Sequence, residues 1–449
     1  MSNTLTQGSI TKNLLKFSIP FLISSFLQTF YGLADLFIAG QFNGASTITA
    51  VSVGSQIMHM VTVIIIGFVM GTTVFIARNF AVQNFNMIKK IIAMSLFAFL
   101  TISLIITLSV YMLSPLILDL LSTPPESIGE TIQYLRICIL GTFFITLYNI
   151  QSSIFRGIGN SQTPMYFVAL SGIINIAADY IFIGVFCMGA RGAALATLLS
   201  QIVCAVSFSL YAYKKLDICR INREDLVVDF SIIKKLLSIG LPVACQDGFI
   251  QISFLIITMI ANIRGVTIAA SVGIVEKLIS FMFLVPSAML SSVSAICAQN
   301  AGAGNHKRAD NTLFCSIAVC FISGVFFTVI CELFAENILY LFSKNDSQVV
   351  MYGAQYLRTY VLDCIFAGFH FCFSGYFCAY EKSLWSFIHN LAAIILVRIP
   401  GAYLASVFYP TSLMPMGLSA PAGSLFSTLI CIIVFLYMRK QRRNIKNNF

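Results

Sequence analysis

"FSIPFLISSFLQTFYGLADLFIAG", residues 17–40, is long enough to cross a bilayer and holds one residue charged at neutral pH, Asp35. About 20 helical residues span the ~30 Å hydrocarbon layer, so this stretch predicts a transmembrane helix. Runs like it recur along all 449 residues. They fall at 16–39, 47–77, 91–114, 132–156, 163–187, 192–213, 236–262, 266–299, 311–334, 352–379, 384–408 and 415–438, twelve in all. Each is continuous, without the alternation of ~10-residue barrel strands, so helices are predicted. The chain is 58% hydrophobic and 10% charged, with mean hydropathy +0.90, which excludes a soluble globular domain. The predicted fold class is an all-α membrane protein with twelve transmembrane helices.

A net charge of +10 would suit nucleic-acid binding in a soluble chain, but its placement argues otherwise. With the N-terminus on the cytoplasmic side, 20 of the 27 Lys and Arg fall in inner segments. Three fall outside (Arg191, Arg264, Lys344) and four within helices (Arg136, Lys277, Arg358, Arg398). This bias predicts a multi-pass membrane protein with both termini cytoplasmic. Residues 1–20 lack a short apolar core followed by a small-residue cleavage site, so no removed signal peptide is expected. The 13 cysteines include no CxxC pair and read as small core hydrophobes. His59, His306, His370 and His389 lie on separate segments without an HExxH arrangement. No metal site, no cofactor and no enzymatic activity are expected.

Self-comparison reveals a duplication. "YLR" at 134–136 returns at 356–358, and Pro20 in "FSIP" returns as Pro242 in "IGLP". "ILDLLS" from Ile117 parallels "ILYLFS" from Ile338, and "ARNFAVQN" from Ala77 parallels "AQNAGAGN" from Ala298. Six helices per half is an even number, so the halves share orientation and form a parallel repeat with a pseudo-two-fold axis along the membrane normal. The predicted domains are an N-terminal six-helix lobe (1–213), a charged cytoplasmic linker (214–235), a C-terminal six-helix lobe (236–438) and a basic tail (439–449). Two such lobes suit an alternating-access transporter.

The polar residues inside helices carry the functional signal. Asp35 lies in the first helix, Asn175 and Asp179 stand four apart on one face of the fifth, and Thr197 lies near the start of the sixth. All four fall in the outer half of the first lobe, where the one nearby cation is Arg136, long enough to snorkel to water. A carboxylate at that depth costs several kcal/mol unless it is protonated, hydrated or bound to a cation, and a second carboxylate raises that cost. Such a pair suits H⁺ or Na⁺; divalent metals would want six or more oxygens. The alternative is that Asp35 bonds a neighbouring helix, or pairs with Arg136, and holds the bundle together. Pro20, about four turns before Asp35, removes a helical hydrogen bond and favours a bend. Either protonation of Asp35 then favours a bent first helix, or the proline makes a static kink.

The second lobe differs. By the 222-residue shift, Asp35 corresponds to Ile257, Asn175 to Val397 and Asp179 to Gly401. Its intramembrane charges are Asp247, Glu276, Lys277, Asp363 and Arg398, and Asp363 and Arg398 are predicted at matching depth as a charge pair. The 40 Phe, 17 Tyr and 16 Met supply surfaces that suit flat apolar cations.

Together, "SIPFLISSFLQTFYGLADLFIAG", "RGIGNSQTP" (156–164), "GARGAALATLLSQ" (189–201) and "AQNAGAGNHKRA" (298–309) mark a chain that resembles the multidrug and toxic compound extrusion (MATE) family, in particular its prokaryotic DinF-like branch. The resemblance implies a cell (inner) membrane antiporter for multidrug efflux of organic, mostly cationic compounds in exchange for H⁺ or Na⁺. Membrane lipids surround it, the placement of charge leaves no nucleic-acid partner expected, and nothing in the sequence requires an oligomer, so a monomer is expected. It assigns cation coupling to Asp35, Asn175, Asp179 and Thr197, and helix bending to Pro20. The segment "LPVACQDGFIQ" departs from branches that couple through a glutamate in the seventh helix, since it has Asp247 and Gln251. "RNFAVQN" lacks the usual turn glycine. The competing readings are a lipid-linked precursor flippase of the same superfamily, which would have fourteen helices and a basic cavity, and a channel or membrane enzyme.

Overall fold

The computed structural model describes residues 5–121, 123–343 and 346–447. Lys344, counted above with the outer basic residues, and residues 448 and 449 of the tail lie outside the described residues. Among the described residues ten helices are long and apolar enough to cross a membrane, and two bent pairs bring the crossings to twelve.

In the first half these are α1 (Ile10–Phe42), α2 (Ala45–Ala81), α3 (Phe85–Leu120), α4 (Pro125–Leu140 and Thr142–Gly157), α5 (Gln162–Val185) and α6 (Gly189–Lys215). The second half has α7 (Phe230–Ile263), α8 (Val266–Gly302), α9 (His306–Phe342), α10 (Ser347–Tyr360 and Asp363–Ala379), α11 (Ser383–Phe408) and α12 (Met414–Asn447). Every predicted run lies within one crossing, except that α5 ends at Val185, two residues early. The fourth helix of each half bends by 41° at an equivalent place, a repeat feature that hydropathy does not carry. Exposed apolar residues such as Leu104, Ile105, Leu108 and Met112 on α3 give the lipid-facing surface that a spanning helix needs.

Packing divides the chain into two units, one built on Lys16–Ala244 and the other on Thr6–Leu15 with Cys245 onward. The boundary therefore falls inside α7, beyond 235. Residues 214–235 pack against α3 in the first unit, where the Asp229 N–H reaches Met94 Sδ at 3.2 Å. Small residues explain the rest. A Cβ at Gly67 would stand 2.6 Å from the Ala244 Cα, and one at Gly71 or Gly240 would overlap the backbone of Leu236 or Phe68. Glycines on both helices thus let the first half of α7 lie directly on α2. Asp229 accepts the Ser231 N–H (2.9 Å) and hydroxyl (2.6 Å), donors that hold its carboxyl below the usual carboxylate range and order the start of α7.

The two halves also share their turn geometry. Gly304, after α8, takes φ +75°, and Gln83 at the matching turn after α2 takes φ +57°. The turns after α4 and α10 reverse the residue types, with Gly159 at φ +92° and Glu381 at φ +58°.

Candidate functional site

The first unit brings Asp35, Asn175, Asp179 and Thr197 together from α1, α5 and α6. Asp35, Asn175 and Asp179 are buried, and Thr197 is half-buried. Thr197 Oγ1 donates to Asp35 Oδ2 at 3.4 Å, and Asn175 Nδ2 donates to Thr197 Oγ1 at 3.5 Å. Both contacts are long, so the cluster is assembled without being saturated. The side chain of Asp179 is a neighbour of the Asp35 carboxyl, yet neither Asp179 oxygen has a donor in hydrogen-bonding geometry; Asp35 Oδ1 and Asn175 Oδ1 lack one too. Among the described residues no lysine or arginine forms an ion pair with either aspartate. Arg136 is engaged elsewhere: its Nε donates to Ser114 Oγ at 3.3 Å and its guanidinium lies 4.9 Å over the Tyr111 ring.

Local backbone places these groups. Asp179 is the last α-helical residue of α5 before a π-helical stretch, Tyr180–Val185, which re-aims the helix beside the carboxyl. Tyr134 and Cys138 of α4 lie close enough to feel the charge of both aspartates, and Tyr31, one turn before Asp35, feels that of Asp35. Gly54 makes room for Tyr134, since a Cβ there would overlap its ring. In the sequence Tyr134 stands out only as a repeat anchor. Its recurrence as Tyr356 was the signal that it belongs to the polar core of its lobe.

Adjoining Tyr31 is a cavity of about 470 Å³ lined by Gln28, Thr62, Asn149, Ser171 and Gln201, with Phe144 and Tyr148 as aromatic walls. Gln201 stands one turn after Thr197, so α1 and α6 line both the cavity and the acidic cluster.

In the second unit Asp363 and Arg398 are buried around one cavity of about 390 Å³. The direct pair expected from sequence does not form, with no N···O approach within 4.0 Å among the described residues. Arg398 ends a π-helical stretch (Ile394–Arg398) that turns its guanidinium to the Tyr360 hydroxyl, to which Nη2 donates, and 4.9 Å over the Phe254 ring. Glu276 accepts from Thr258 Oγ1 at 2.9 Å. Asp247 is half-buried on α7. Pro20 lies inside α1, which continues as one helix through it, and Ser24 Oγ donates to the Pro20 carbonyl at 2.9 Å.

A duplicated twelve-crossing α-helical bundle with an acidic pocket in one lobe defines a polytopic membrane protein of the transporter class. The MatE family model matches twice, over residues 20–181 and 242–404, beginning at Pro20 and Pro242, and the chain belongs to that family of multi-pass membrane transporters. It is 28% identical over 435 residues to the probable multidrug resistance protein YpnP of Bacillus subtilis (strain 168), covering 97% of this chain and 96% of that protein. Identity to the multidrug export protein MepA of Staphylococcus aureus (strain COL) is 24% over 373 residues, covering 82% and 81%. Among solved structures, a MATE in the bent conformation superposes with TM-score 0.89 at 22% identity, covering 99% of this chain and 98% of that one. A MATE in the straight conformation gives 0.87 at 23%, covering 99% and 98%.

Proposed function

We propose that the protein is a secondary active exporter of amphipathic organic cations, driven by inward movement of H⁺ or Na⁺ through the first lobe. The supporting observation is the Asp35–Asp179 pair, buried together with three of its four carboxylate oxygens lacking a donor and, among the described residues, with no lysine or arginine paired to it. Two such carboxylates are stable at that depth only when a cation joins them. Asp35 and Asp179 hold the coupling cation, and Asn175 and Thr197 supply further oxygens and orient Asp35. The neighbouring cavity of about 470 Å³ receives the substrate, with Tyr31 between the two sites. Filling the acidic site removes the negative charge that attracts a cationic substrate, so ion and drug compete and exchange follows. One elementary charge crossing the potential releases about 2.3 kcal/mol per 100 mV, enough for more than a tenfold substrate gradient when exchange moves net charge. The relatives named as multidrug resistance and export proteins support the same substrate class. The positive-inside bias supports cytoplasmic termini, and transport by a monomer without catalysis is the working description.

The test is ethidium efflux from loaded proteoliposomes after a pH or Na⁺ jump. Efflux driven by one of the two gradients and lost in Asp35→Asn supports the reading. Efflux indifferent to both gradients removes antiport, and undiminished efflux in Asp35→Asn removes the site.

A further inference from the structure

The cavity of the second unit has two electrical poles. Asp363 presents both carboxylate oxygens without a donor, and Arg398 presents its Nε without an acceptor; both side chains are more than nine-tenths buried. Asn390 Nδ2 and His370 Nδ1 also lack partners there and are equally buried, while Ser424 Oγ meets His370 Nε2 at 3.3 Å. The remaining wall is apolar, with Ile250, Phe283 and Phe371. A pure cation entering this space gains Asp363 and is repelled by Arg398, and a pure anion meets the reverse. A molecule carrying both charges satisfies each pole.

We propose that this cavity is a binding site for a small zwitterion of the size of a simple α-amino acid. The ligand's ammonium faces Asp363, its carboxylate faces Arg398 Nε and Asn390 Nδ2, and a short apolar side chain lies on Ile250 and Phe283. This site is separate from the acidic cluster of the first lobe. Glu276, held by Thr258, lies within the field of Arg398 on the α8 side and forms no ion pair with it among the described residues, so the guanidinium keeps its own pole. His389, hydrogen-bonded to Ser374 Oγ (2.9 Å) and Ser427 Oγ (2.6 Å), closes the cavity behind His370.

The test is isothermal titration calorimetry on the purified full chain with three probes sharing one carbon skeleton: L-valine, isobutylamine and isovalerate. The titrations use the Asp35→Asn/Asp179→Asn background, which blanks amine binding in the first lobe, so the outcome does not depend on the function proposed above. Valine is expected to bind at least about tenfold more tightly than either single-charge probe. Asp363→Asn is expected to shift preference toward isovalerate, and Arg398→Gln toward isobutylamine. Failure of valine to bind up to about 10 mM, or equal binding of valine and isobutylamine, overturns the proposal. Where a variant does not remain monodisperse, the three-probe comparison in the background protein decides alone.

Discussion

The two lobes carry the charges of their polar clusters at different positions of the repeat, on α1 and α5 in the first and on α8, α10 and α11, the counterparts of α2, α4 and α5, in the second. Asp35 of α1 corresponds to Ile257 of α7 in the duplication, and Asp179 of α5 to Gly401 of α11. Conversely, Gly54 of α2 corresponds to Glu276, Gly141 at the α4 bend to Asp363, and Ile176 to Arg398. Tyr134 and Tyr356 are shared, each fully buried against the charges of its own lobe. One ancestral pocket has therefore been filled in two ways. The first lobe gathers two carboxylates with no lysine or arginine paired to them among the described residues, which in the function proposed above leaves their compensation to an ion from solution. The second combines Asp363 and Glu276 with Arg398 and supplies a positive charge from within.

That contrast predicts opposite consequences for neutralising substitutions. Asp35→Asn or Asp179→Asn is expected to reduce coupled efflux to the level of empty vesicles without lowering the thermal midpoint, because an amide is cheaper to bury than an uncompensated carboxylate. Transport and nanoscale fluorimetry on the same preparation check both halves of that statement. Arg398→Gln is expected to destabilise by about 3 kcal/mol, since it leaves the buried Asp363 and the half-buried Glu276 without the guanidinium. The double variant Arg398→Gln/Asp363→Asn should recover much of the loss in denaturant titration, as coupled neighbours do.

A smaller effect is expected at the close helix contact of the first unit. Gly71→Ala forces α2 away from the Leu236 carbonyl and should cost about 2 kcal/mol, whereas its repeat counterpart is already Val293. The smallest effect concerns the turns. Gln83→Gly relieves a left-handed residue and should stabilise by about 1 kcal/mol or less, and Gly304→Gln should destabilise by a similar amount. Both are measurable as shifts in unfolding midpoint.

Hydropathy and the recurrence of "YLR" were enough to predict the twelve crossings and the parallel duplication, because bilayer thickness imposes a length that side chains must satisfy. The residues that assemble in the first lobe were also readable, since a carboxylate in an apolar run stands out wherever it falls. Other features depend on backbone geometry that composition does not encode. The π-helical stretches beside Asp179 and Arg398 turn those side chains, and the second explains why Arg398 meets Tyr360 instead of pairing directly with Asp363. The boundary inside α7 depends on close contacts at Gly67, Gly71 and Gly240, which look like ordinary membrane-helix glycines in one dimension. The missing glycine noted in "RNFAVQN" does mark a real feature, because Gln83 adopts the left-handed conformation in its place.

The central claim, that the acidic pair of the first lobe borrows its counter-charge from solution, is tested most directly by counting cations released when ethidium binds to the purified protein. Calorimetry in two buffers of different ionisation enthalpy reports the proton number, and the dependence of ethidium affinity on Na⁺ concentration reports the Na⁺ number. The account predicts release of about one H⁺ or Na⁺ per ethidium bound, abolished in Asp35→Asn/Asp179→Asn. Ethidium binding that releases neither ion, or release that persists in the double variant, would contradict it.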